Sequence, residues 1–277
     1  MVNCVTLAGL PRPNPFARVL LFENSPTAMK PLLLALLTFV ASFAMAGTMP
    51  PTGGRDPVSE QQSAAAENLR RALPSLREGD VIFTRARHAL YRRISETSGS
   101  WESHVGIILR DADGAWIVAE STVPVSRFSP IERFVARSEN GRFLVRRLRG
   151  GLTGEEVRRL CRATERRMGK LYDTGFQYDS SRQFCSKFVY DSYVEATGQP
   201  VGKLETFREM LAENPEAPVK FWRAWFFGRI PWDRRCVTTA SQLRAPNMVT
   251  VFDSEIRTRS EEPGRHSSPT ITRAALW

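Results

Sequence analysis

Residues 183–193 read QFCSKFVYDSY. Phe188, Val189, Ser192 and Tyr193 fall at helical spacing here, Ala196 continues the pattern, and Gly198 is placed to stop it. Cys185 therefore stands in the first turn of a helix. A cysteine at that position faces backbone N–H groups without intrahelical acceptors and the positive end of the helix dipole, and both favour the thiolate. The same N–H groups suit the oxyanion that forms when a thiolate attacks a carbonyl. Two readings stand side by side: a nucleophile, or a small buried hydrophobe that begins a helix.

Working outward, the segment LYDTGFQYDSSRQF (171–184) is an aromatic and aspartate-rich loop. Before it, Thr153-Gly154-Glu155-Glu156 is a capping box, and Val157, Leu160, Thr164 and Met168 keep helical spacing until Gly169. Further upstream, HVGIIL (104–109) and WIVAES (116–121) flank DADG (111–114), the pattern of a β-hairpin. Short strands are expected at 81–83, 142–148 and 248–252, a helix over 59–73, and a polar loop or short helix over 91–99. A loop and a short helix are expected over 124–137. Phe221, Trp222, Trp225, Phe226, Phe227 and Trp232 crowd one segment that reads either as a buried flap or as a membrane wedge.

A thiolate needs an imidazole to hold it and later to protonate a leaving group. The chain has three histidines. His266 lies in an irregular tail and His88 in a basic loop-like stretch, whereas His104 begins the best strand. His104 and Glu120 are equidistant from residue 112, so a loop centred there sets them directly opposite on one face of the hairpin. A one-residue slip would separate them. Glu120 would then hold one ring nitrogen and leave the other for Cys185. Taken singly, His104 also reads as a structural histidine and Glu120 as a hairpin-end charge.

The formal net charge is +10, carried mostly by arginine. No zinc finger, helix-turn-helix or RNP-like module accompanies it, so nucleic acid is not the expected partner. Peripheral contact with an anionic envelope is the expectation instead. Lys30 precedes an apolar run that ends in Ala44-Met45-Ala46, the three parts of a signal peptide, which spans 29–46 and implies a periplasmic or secreted protein. Residues 1–28 read as a doubtful upstream extension, 59–256 as one domain and 257–277 as a disordered tail. Four cysteines include no Cys-x-x-Cys pair or Cys/His cluster, which argues against structural zinc. If a disulfide forms, the expected pair is Cys161 with Cys236, leaving Cys185 free.

Together EGDVIF (78–83), SHVGIIL (103–109), IVAES (117–121), GKLYD (169–173) and FCSKFVYDSY (184–193) resemble the circularly permuted branch of the NlpC/P60 papain-like superfamily, the YiiX/YebB-like hydrolases. The resemblance covers roughly residues 76–252. It implies an α+β fold, a small antiparallel barrel-like sheet packed against helices. It implies His104 as base, Glu120 as its orienting partner and Cys185 as nucleophile, in the order histidine, acid, cysteine, with no metal or organic cofactor. Tyr172 and Asp173 are implied as pocket-wall residues, and Tyr178 and Ser186 join them as candidate pocket residues. Lys187 departs from the family's frequent Cys-Ser-Glu. The activity implied is hydrolysis of an amide or ester, from a cell-wall peptide or a lipid, through a thioester. A peptide substrate predicts an open polar groove. A lipid predicts an apolar channel bordered by Phe226 or Phe227. An acyltransferase, or an inactive module that binds anionic lipid or glycan, are the rival readings.

Overall fold

Alternating burial along the hairpin sets the architecture. A computed structural model of the chain describes residues 57–87 and 89–255. Strands β1 (Val81–Ala86), β2 (His104–Arg110), β3 (Trp116–Glu120), β4 (Arg127–Pro130), β5 (Ser138–Leu148) and β8 (Met248–Asp253) form one antiparallel sheet in the order β4-β3-β2-β1-β5-β8. A second, two-stranded sheet pairs β6 (Leu204–Thr206) with β7 (Arg235–Val237). The expected signal segment 29–46, the extension 1–28, His88, and the tail 257–277 with His266 lie outside the described residues.

Side chains of β1 to β3 alternate between two cores, as the period of two along a strand requires. Val81, Phe83, Val105, Ile107, Leu109 and Ala119 pack on one face with Leu160 of α4 (Gly154–Glu165) and Phe188 and Tyr193 of α5 (Cys185–Thr197). Ile82, Ile108, Val118 and Val145 pack on the other, with Leu69 of α1 (Pro57–Ala72) and Phe134 of α3 (Ile131–Ala136). A third cluster joins Tyr172 and Phe184 to α6 (Phe207–Glu213), α7 (Val219–Trp225) and β7. The remaining helices are α2 (Ala89–Ser98) and α8 (Thr239–Leu243).

The expected capping box holds: the Thr153 hydroxyl accepts from the Glu156 N–H, and the Glu156 carboxylate accepts from the Thr153 N–H. Gly198 closes α5 with φ 71°, the left-handed turn that favours glycine. The hairpin register differs from expectation. Ile107 faces Ala119 and Ile108 faces Val118, so the turn is centred on 113 rather than 112. Continued, this register sets Glu120 opposite Gly106, with His104 two residues along. Because the shift moves the partner by two, His104 and Glu120 keep the same face and become diagonal neighbours. Gly106 leaves room there: a Cβ on it would come within 2.4 Å of Val118 Cγ1.

One buried ion pair ties β1 to β5. Asp80, almost wholly buried, accepts from Arg147 Nε at 2.7 Å and from the Arg77 N–H at 2.8 Å. Burial pushes its carboxyl above the usual range against the pull of Arg147. Arg147→Met would leave that carboxyl without its charge partner. Urea unfolding is expected to show a loss of about 3–5 kcal/mol; a loss below about 1 kcal/mol would show that the pair contributes little.

Candidate active site

Helix α5 differs from α4 and α6 at its start. Those two open on threonine capping boxes, Thr153 and Thr206. The N-cap of α5 is Phe184, in extended backbone, with no side-chain cap. Its first-turn N–H groups are therefore free of a competing side-chain acceptor. Cys185 stands at that uncapped end as a free thiol.

His104 opens β2 and is almost wholly buried. Its Nε2 lies 2.6 Å from Glu120 Oε2. The other carboxylate oxygen, Oε1, accepts from Ser129 Oγ at 2.6 Å and from Arg137 at 2.6 Å, with Arg127 3.8 Å away. The ring is clamped by Phe134, 5.5 Å between centroids, and by the edge of Tyr91 at 5.9 Å. With Nε2 taken by Glu120, only Nδ1 is left. Within the described residues no hydrogen bond of ordinary geometry reaches Nδ1, yet the Cys185 thiol is the neighbour that most favours its protonation. A free enzyme with a slack base–nucleophile contact has this appearance.

The charges of the three groups depend on one another. Burial opposes charge on His104, but the Cys185 and Glu120 contacts outweigh it and carry the imidazole up to about 9. Burial also opposes ionisation of Glu120; the His104 bond and charge, Arg137 and Ser129 overcome it and hold the carboxyl at about 2. For Cys185 burial raises the thiol, and His104, the Tyr172 hydroxyl and the Ser186 N–H bring it below its ordinary value. The arrangement thus favours a thiolate beside an imidazolium, braced by a carboxylate.

The structure brings His104, Glu120 and Cys185 together. The Tyr172 hydroxyl lies 4.0 Å from Cys185 Sγ, and burial beside the thiol keeps it protonated far above the usual phenol range. Ser186 lies on a cavity beside Cys185, and its hydroxyl donates to the Val237 carbonyl at 2.6 Å. Asp173 and Tyr178 do not line that cavity. Asp173 braces its own loop, accepting from the Gly175 N–H at 2.8 Å, and the Tyr178 hydroxyl donates to Asp191 at 2.9 Å. Lys187 turns away from the thiol to the carbonyls of Ser180 and Arg182, so its charge ties down the preceding loop. Cys236 is also a free thiol, so the expected bridge from Cys161 to Cys236 is absent.

The cavity next to Cys185 holds about 50 Å3. Its walls are mainly apolar: Ile94, Phe176, Phe184, Phe207, Met210 and Trp222. The aromatic segment thus reaches the cavity through Trp222, not through Phe226 or Phe227. Sequence reasoning missed Ser129, Phe134, Arg137, Phe207 and Met210. Arg137 is one arginine among many in the sequence, and only the chain's return through α3 places it on Glu120.

A family model described as permuted papain-like amidase enzyme, YaeF/YiiX, C92 family, matches residues 75–252. The uncharacterized protein YiiX of Escherichia coli K12 is 29% identical over 173 residues, covering 62% of this chain and 84% of that protein. A crystal structure described as metalloprotein YiiX from Escherichia coli O157:H7 superposes with a TM-score of 0.60 at 29% identity, covering 65% of this chain and 98% of the other. Among the described residues of this chain, no group of three or more His, Cys, Asp or Glu side chains is set to hold a metal. The six-stranded antiparallel sheet against helices, the order of histidine, acid and cysteine, and the extent of the match agree: the chain belongs to the permuted papain-like amidases of the YaeF/YiiX, C92 family.

Proposed function

We propose that this chain is a cysteine amidase whose substrate carries an apolar acyl group. The observation that carries the reading is the apolar cavity walled by Cys185 itself together with Phe184, Phe207, Met210 and Trp222. A polar cell-wall peptide finds few partners on such a surface.

In this reading Cys185 Sγ attacks the amide carbon and an S–C bond forms. The oxyanion accepts from first-turn N–H groups of α5, and the Tyr172 hydroxyl is near enough to add a donor. The C–N bond then breaks, and the amine leaves with the proton from His104 Nδ1. Water, deprotonated by the now neutral His104, attacks the thioester. The carboxylic acid leaves, and thiolate and imidazolium are restored. Glu120 fixes the ring so that Nδ1 faces the sulfur throughout.

The cavity is much smaller than the roughly 300 Å3 of pockets that hold drug-sized ligands. In this conformation it admits a short apolar chain, and longer chains require Met210 or Trp222 to move. A series of N-acyl amides of increasing length tests this. Each buried methylene contributes about 0.8 kcal/mol, so kcat/KM is expected to rise about fourfold per carbon and then level off. Faster turnover of polar peptidoglycan peptides than of any acyl amide would overturn the acyl reading while leaving the thiol chemistry in place.

A further inference from the structure

Phe227 is 98% exposed, the extreme among the exposed large apolar side chains of the described residues. It is not on a loose loop. The Phe227 N–H bonds the Ala224 carbonyl at 3.1 Å, the Gly228 N–H bonds that of Arg223 at 2.7 Å, and the Arg229 N–H bonds that of Phe226 at 3.1 Å. The turn also holds Phe227 at φ 50°, a left-handed conformation that costs a bulky residue energy. A fully bonded turn therefore presents an aromatic ring to solvent at a cost in backbone strain.

The charges of the segment 217–232 are all positive, between Glu216 and Asp233, the latter paired with Arg208. Lys220, Arg223 and Arg229 are exposed, and none makes an ion pair within the described residues. No acidic residue occurs from 217 to 232. Elsewhere on this surface arginines are commonly paired, as Arg158 is with Glu155 and Arg235 with Asp179. Trp232, partly exposed, carries Arg208 over its ring at 5.6 Å. The other side of the segment is anchored: Trp222 is buried, and Phe226 stacks on it at 5.9 Å and meets Phe207 at 5.5 Å.

We infer that the turn Phe226–Arg229 is a docking wedge for an anionic lipid surface, with Phe227 entering the interface and Lys220, Arg223 and Arg229 facing lipid phosphates. A protruding aromatic ring on a segment whose three cations make no ion pair within the described residues matches an interface that is apolar below and negative above. An acidic protein would pair with the cations and leave Phe227 without an apolar seat. No helix among the described residues is long and apolar enough to cross a membrane. The wedge does not depend on the amidase chemistry. It does place the segment that walls the Cys185 cavity at the lipid boundary, where acyl amides would be found.

The test is sedimentation of the full chain with vesicles of phosphatidylcholine alone or with 30% phosphatidylglycerol, at about 0.1 M salt. Wild type is expected to bind the anionic vesicles and to be released as salt rises. Phe227→Ser is expected to weaken binding about tenfold. The Arg223→Gln, Arg229→Gln double variant is expected to weaken it about 25-fold, roughly fivefold per cation. The apolar leader is common to all variants, so the differences report the turn. Phe227→Trp gives an independent readout: brominated lipids are expected to quench its fluorescence more than that of wild type. Equal binding by wild type, Phe227→Ser and the double variant would overturn the inference. So would equal binding to both vesicle types, or no added quenching in Phe227→Trp. Vesicle binding unchanged in Phe227→Ser but lost self-association or protein binding would assign the turn to a protein partner instead.

Discussion

Cys185→Ala is expected to lose turnover entirely, on the order of 10^4-fold or more, while keeping the native fold. The side chain is small and sits on a cavity wall, so Ala removes little packing. What it removes is the atom that His104, Tyr172 and the Ser186 N–H all serve. The wild-type thiol should show this in its alkylation. Its rate with iodoacetamide, resolved from the other cysteines by mass spectrometry, should rise with pH through a midpoint below the free-cysteine value of about 8.5. In His104→Ala the imidazolium is gone and the burial remains. Burial alone raises the thiol, so the midpoint should move above about 8.5. Turnover asks for more than a thiolate, because the leaving amine needs a proton. Activity should therefore rise as Cys185 deprotonates and fall again as His104 loses its proton near 9. An unshifted alkylation midpoint that is the same in both proteins would show that no ion pair exists. Retained turnover in purified Cys185→Ala would remove the cysteine from the mechanism.

The parts of this arrangement that can be read from the sequence are those set by neighbours along the chain. A helix after Thr153 needs only a cap and a period, and both are present in a few residues. The start of α5 has no such cap, but its period and the closing Gly198 make the helix legible, and with it the place of Cys185. The hairpin is legible in kind but not in register. The Asp111 side chain accepts from the N–H of Asp113 at 3.0 Å and of Ala115 at 2.8 Å, which closes a five-residue loop. Placing His104 and Glu120 equidistant from residue 112 does not register that hydrogen-bonding, and so it centres the turn one residue early. The pairing survives because side-chain direction repeats every two residues. Strand β4 cannot be seen at all. It reads Arg-Phe-Ser-Pro, and its proline is tolerated only because β4 is an edge strand, a property of the finished sheet. With β4 invisible, Ser129 is hidden too, and the turn into α3 hides Arg137. The groups that hold Glu120 are therefore placed only by the chain's return through β4 and α3, whereas His104, Glu120 and Cys185 each stand in an element that a local pattern reveals.

Those long-range groups decide the outcome of Glu120→Gln. The substitution preserves shape and a hydrogen bond to His104 but removes the negative charge. Two effects follow, and both weaken the ion pair. The imidazolium loses the carboxylate that, with Cys185, lifts it to about 9, so its pKa falls. The thiol in turn loses part of the positive charge that holds it low, so its pKa rises. Both shifts favour neutral thiol and neutral imidazole over the ion pair. The neutral amide also leaves the Arg137 guanidinium, 2.6 Å from the former carboxylate, without its counter-charge in a partly buried site. Turnover is expected to drop about 10^3- to 10^4-fold, with the alkylation midpoint of Cys185 moving up and the alkaline limb of activity moving down from about 9. Arg137→Met spares the carboxylate and removes a cation beside it. Glu120 then loses one of the charges that hold it at about 2, and its pKa rises toward the ordinary range. It stays ionised at pH 7, so His104 keeps its partner and activity should fall far less, within about tenfold. If Glu120→Gln lowers activity no more than Arg137→Met and leaves the alkylation midpoint in place, then Glu120 only packs beside His104, and the imidazolium must owe its charge to Cys185 alone.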